Sequence, residues 1–239
     1  MDTLWPDLIQ WLHTLGLHVD AGTAAAVQEG ASRAASALDM PGLLALAAAL
    51  GWASGFRLYA VVFLVGLMGV AGWIALPPGL ALLQHPLVLA ASGLMLVVEF
   101  FADKVPWVDS AWDAVHAFIR VPAGALLAAG VFGADNGAMT VVAGMLGGSL
   151  SATALATKMT TRAVANTSPE PFSNWGLSFF EDGLVVAVVW LATQHPVAFG
   201  IALVVMLAVS VLLLMVLFKF LRAVLRRVSS VFSGTAKVV

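Results

Sequence analysis

The chain has 239 residues, of which 61% are hydrophobic and only 10% charged, with a net charge of −2. A soluble domain is roughly 45–50% apolar and about 25% charged, so neither an ordinary globular core nor disorder explains this composition, whereas lipid does. The acidic balance excludes a nucleic-acid partner, which needs a basic face, and the absence of cysteine excludes disulfides, thiolate metal sites and cysteine nucleophiles.

Residues 1–40 form a distinct N-terminal extension. Leu4, Trp5, Leu8, Ile9, Leu12 and Leu15 recur at helical spacing, with Asp2, Asp7, Gln10 and His13 on the other side. This pattern suits a helix lying in the membrane interface. No basic n-region precedes an apolar stretch, so no cleavable signal peptide is expected.

From residue 41 to 225 the chain reads as an all-α, polytopic transmembrane bundle. Dense apolar runs cover 42–76, 85–104, 109–133, 138–166, 176–194 and 197–221, about six membrane elements. A hydrocarbon core of about 30 Å needs ~20 helical residues, so the first run is too long for a simple span. It carries Gly51 and Gly55 followed by Arg57, a pattern that predicts a break. The run 138–166 repeats the signature, with Gly144, Gly147 and Gly148 ahead of Lys158 and Arg162. Two glycine-broken or re-entrant elements, in halves 42–133 and 138–221, are the pattern of an inverted three-plus-three repeat, as in secondary transporters. Residues 226–239 form a basic tail. Lys219, Arg222, Arg226 and Arg227 place it in the cytoplasm by the positive-inside rule.

Three charged clusters and one arginine carry the candidate chemistry. Glu99 and Asp103 are four residues apart and share a helix face. After Pro106, Asp109, Asp113, His116 and Arg120 fall at i, i+4, i+7 and i+11, a single polar stripe. It either faces water at the interface or lines an aqueous vestibule where His116 can titrate near neutral pH. In the second cluster Lys158, Arg162 and Asn166 share a face. A cation inside an apolar helix costs at least ~2.5 kcal/mol, so it pairs with acids, faces a cavity, or snorkels to the interface. In the third, Glu181 and Asp182 head the run 176–194, where the helix dipole favours an acid. Arg57, after the glycine break, either binds an anion beside free backbone amides or pairs with a carboxylate such as Glu99 or Asp182.

Enzyme signatures are missing: there is no H-E-x-x-H, G-x-S-x-G or phosphate-binding glycine loop. No enzymatic activity, cofactor or metal is expected. The small residues Gly124, Ala128, Ala129, Gly144 and Gly148 permit close helix packing or a homo-oligomer.

The segment Glu99–Ala128, the G-F-R of Gly55–Arg57, the T-K-M-T-T-R-A-V-A-N-T-S run ending at Ser168, and S-F-F-E-D at Ser178–Asp182 resemble, in order, the bacterial membrane family catalogued as domain of unknown function 4126. The resemblance covers about residues 42–225. Where the family pattern has proline directly after the arginine, Val121 intervenes here between Arg120 and Pro122. The resemblance implies a multi-spanning inner-membrane protein and no established activity. Three functions fit the residues. A small ion-coupled permease for an anionic solute would bind it at Arg57, Lys158, Arg162 and Asn166. Glu99, Asp103, Asp109, Asp113, His116, Arg120, Glu181 and Asp182 would then couple protons or balance charge. The other two are a flippase or scramblase for a phosphate-bearing lipid and a non-catalytic membrane scaffold or assembly factor.

Overall fold

The computed structural model describes residues 39–105, 107–133, 136–167 and 172–234; the expected N-terminal interfacial helix lies outside them. These residues contain seven helices and no strand: α1 (Met40–Val70), a 3-10 helix (Pro78–Gln84), α2 (Pro86–Ala102), α3 (Val108–Phe132), α4 (Gly137–Ala165), α5 (Phe172–Gln194) and α6 (Pro196–Gly234). Local chemistry sets several starts. Asp39 accepts the amide of Gly42 at 2.9 Å, His85 accepts that of Leu87 at 3.2 Å, and Asn136 accepts that of Met139 at 3.3 Å. Each satisfies an amide that has no partner within its own helix.

Five helices (α1, α3, α4, α5 and α6) are long and apolar enough to cross a membrane, and the 3-10 helix with α2, bent by 67°, makes a sixth membrane element. The protein is therefore a membrane-spanning helical bundle. Two of the six elements are broken, one of them elsewhere than expected. The run 138–166 is an uninterrupted helix over Gly137–Ala165, and the second broken element is the bent pair over 78–102. The inverted repeat is accordingly not confirmed.

The break in α1 falls on Arg57 itself (φ −146°, ψ 77°), whereas the glycines before it stay helical. The packing on either side of it shows that the chain doubles back there. A Cβ on Gly51 would lie 2.5 Å from Gly147 Cα, and one on Gly55 would lie 2.7 Å from Ala154 Cβ, so residues 40–56 run parallel to α4. Beyond Arg57, Phe63 packs on Gly93, Gly66 on Leu83 and Leu89, and Gly69 on Leu76 and Gln84. The 3-10 helix in turn packs through Gly79 and Leu80 on Gly130, towards the end of α3 remote from Arg120. A straight α1 would carry Gly69 about 18 Å past Arg57, at ~1.5 Å per residue, away from those partners. Residues 40–56 and 58–70 are thus the two arms of a re-entrant hairpin with Arg57 at its tip.

The hairpin is the core. Leu46, Ala49, Leu50, Trp52, Ala53, Val61 and Val65 are buried, and Val185, Val188, Val189 and Ala192 of α5 join the same core. A helix apolar on every side belongs in the middle of a bundle. The small residues of α3 and α4 serve contacts inside the chain: Gly124 meets Ser151, Gly147 meets Ala128, and Gly144 and Gly148 lie against Ala129 and Ala125. Within the chain, the close packing they permit is between α3 and α4.

Candidate functional site

Five elements deliver charged side chains to one buried place. α2 ends with Glu99 on its inward face and Asp103 as its C-cap. The first half of α3 turns Asp109, Asp113, His116 and Arg120 inward and leaves Val115, Phe118 and Ile119 exposed. The stripe thus faces the bundle and not interfacial water. Lys158 and Arg162 lie inward on α4, with Asn166 at its C-cap; neither base snorkels to the interface. α5 begins at Phe172, earlier than the apolar run at 176, so Glu181 and Asp182 sit in its interior and not in its first turn. The hairpin of α1 supplies Arg57.

The ionic contacts form one connected network. Asp103 is its hub: Oδ2 lies 2.9 Å from Arg57 Nη1, 3.2 Å from Lys158 Nζ and 3.6 Å from Arg162 Nη2. Arg57 Nε also lies 3.1 Å from Asp182 Oδ1 and 3.7 Å from Glu181 Oε2. Lys158 reaches Asp113 at 3.2 Å and Glu181 at 3.5 Å. Arg162 donates to both oxygens of Glu181, at 3.2 and 2.9 Å, and lies 3.8 Å from Asp109. Arg120 donates to Asp113 at 2.7 Å and to Glu99 Oε1. Arg57 pairs with Asp182 as one reading of the sequence expected, and with Asp103 rather than Glu99.

Backbone and neutral side chains complete the site. Lys158 donates to the carbonyl of Phe56 at 3.2 Å, where the first arm of the hairpin ends and its dipole is negative. Arg57 Nη2 donates to Ser178 Oγ at 2.7 Å and to the Ser178 carbonyl at 3.2 Å. Nε and Nη1 make no aligned hydrogen bond, so its contacts to Asp182 and Asp103 are purely ionic. Asn166 donates to Asp109 at 3.0 and 3.3 Å and to Ser110 at 3.0 Å, and accepts from Asn174 at 2.7 Å. These amides close the end of the network towards the 166–172 connection.

His116 lies beside the network and not within it. It stacks on Trp112 at 4.1 Å and meets the edge of Tyr59 at 5.8 Å, with Nδ1 2.8 Å from the Trp112 carbonyl. Lys104, just beyond α2, sits over the Phe100 ring, 2.9 Å from its centre. Partial burial and the nearby Arg57 charge bring its amine below the usual lysine value.

Sequence reasoning missed Ser178 and Asn174. The signal was present: Asn174, Ser178 and Glu181 fall at i, i+4 and i+7, one face of α5, but it needed the earlier helix start to be seen.

Six acids (Glu99, Asp103, Asp109, Asp113, Glu181 and Asp182) share four bases (Arg57, Arg120, Lys158 and Arg162). All are buried except Asp182, whose side chain is 29% exposed. Every base already holds a carboxylate, and the acids are in surplus by two. No curated protein and no solved structure matches the chain. The family described as a domain of unknown function, DUF4126, matches residues 44–216, and the chain belongs to that family.

Proposed function

We propose that this protein is a small proton-coupled permease for an anionic solute in the bacterial inner membrane, with the network at the hairpin tip as its site. The observation that carries the reading is the surplus of acids in a buried network. Lone charges are expensive in a low-dielectric interior, so such a set of groups exchanges protons or partners rather than holding fixed charges. The bases are occupied by the protein's own carboxylates, so an incoming anion binds by displacing one of them. Asp182 is the acid to displace. It is the most exposed of the six, and its contact with Arg57 is ionic without an aligned hydrogen bond. Once released, its carboxylate takes up a proton, and anion and proton move together without net charge. With the basic C-terminal segment in the cytoplasm, the network lies towards the cytoplasmic side, and both ends of the hairpin lie towards the opposite one.

The test is uptake of radiolabelled phosphate, sulfate and short carboxylates into proteoliposomes under an imposed pH gradient. Uptake should track acidification of the interior, and Arg57→Ala should abolish it while the protein stays monodisperse. Uptake indifferent to both pH and that substitution sinks the mechanism.

A structural role is the second reading, favoured by the full pairing of the four bases. It expects the paired change Arg162→Leu with Glu181→Leu to be tolerated in whatever assembly the protein supports, whereas a transport site loses uptake. Lipid handling is less favoured, since it needs a groove open to the bilayer beside Arg57 and Lys158, and both are buried.

A further inference from the structure

The surplus of acids can be located oxygen by oxygen. Asp182 reaches solvent and can remain ionised there. The other five acids are sealed in with four bases, so charge balance requires one of them to be neutral. Asp103 touches three bases through a single oxygen. Glu181 is held by Arg162 at both oxygens. Asp113 has Arg120 at 2.7 Å and Lys158 at 3.2 Å. Asp109 lies 3.8 Å from Arg162 and accepts from Asn166 and from the Ser110 amide at 2.6 Å. Glu99 has the poorest company. It touches one base, Arg120, through Oε1, and Asp113 shares that base. Its Oε2 is fully buried with no hydrogen-bond partner; Asp103 Oδ1 and Asp113 Oδ2 are orphaned likewise, but through their other oxygens those acids touch three and two bases, where Glu99 touches one. The other charged or titratable groups around it are Lys158 of α4, Arg57 and Tyr59 of α1, and Asp103 on its own helix. Among the described residues, no three acids or histidines converge on a position where a metal ion would sit.

We infer that Glu99 is a discrete proton-binding site, carrying a proton on Oε2 at neutral pH while Oε1 accepts from Arg120. A neutral carboxyl group there leaves four sealed carboxylates facing four bases. The proton itself follows from the geometry and does not rest on the permease reading, in which the travelling proton is the one that Asp182 takes up.

Infrared spectroscopy of the purified full-length protein at neutral pH tests this without any transport measurement. Exposed acids are ionised at that pH, so the expected signal is a protonated carboxyl C=O band. Carboxyl-13C glutamate should shift the band and carboxyl-13C aspartate should not. Glu99→Gln should lose it and Asp182→Asn should keep it. Because glutamine mimics the neutral acid, Glu99→Gln should melt within a few degrees of the wild type; a large loss of stability would mean that an ionised Glu99 was needed. A missing band, a shift with labelled aspartate, or a band surviving in Glu99→Gln each overturns the inference. Uptake without the band refutes the proton site alone, and the band without uptake refutes the permease alone.

Discussion

The runs 42–76 and 138–166 share a sequence signature, glycines followed by a buried base, yet one folds back on itself and the other is a straight helix. The glycines do not make the difference, because they stay helical in both. They are contact points: Gly51 lies on Gly147 and Gly55 on Ser151, so the first arm of the hairpin and α4 approach along their small residues. What differs is the fate of the chain after the base. Beyond Arg57, Phe63, Gly66 and Gly69 find partners in α2 and the 3-10 helix. Beyond Lys158, the chain continues to Arg162 and Asn166, which need the same helical face to reach Glu181 and Asp109. A glycine in a membrane helix is therefore weaker evidence of a break than of a close neighbour.

The largest expected effect on this contrast is topological. The chain is free of cysteine, so Met40→Cys and Trp73→Cys can be labelled singly with an impermeant maleimide. Both should react from the same side of the membrane, and reaction from opposite sides would turn the hairpin back into a span. Next comes the tip. Arg57→Met leaves Asp182 without its base and takes from Asp103 the nearest of its three, and should cost about 3–5 kcal/mol, as removing one partner of a buried pair does, read as a lower melting temperature in detergent. The smallest effect separates contact from break: Gly51→Ala should cost roughly 1–3 kcal/mol by overpacking against Gly147. At Gly183 of α5 nothing lies within 4 Å of an added Cβ, so Gly183→Ala should be neutral or slightly stabilising.

Much of the site was legible before any tertiary information. The i, i+4, i+7, i+11 stripe of α3, the pair Glu99 and Asp103, and the pair Lys158 and Arg162 lie on shared faces because helical periodicity alone puts them there. Readings that depended on what lies opposite were not legible. His116 sits in an aromatic stack because Tyr59 and Trp112 surround it, and Ser178 matters only because the hairpin tip arrives beside it.

Composition and hydropathic runs determined that this is a helical membrane protein, and roughly where each helix lies, because the bilayer requires long apolar segments with internally satisfied backbones. The tertiary structure decided which long run folds back and which acids share which bases. Direction after a break and the pairing of charges are properties of neighbours distant in sequence, such as Arg57 with Ser178 or Lys158 with Asp103, and no local spacing encodes them.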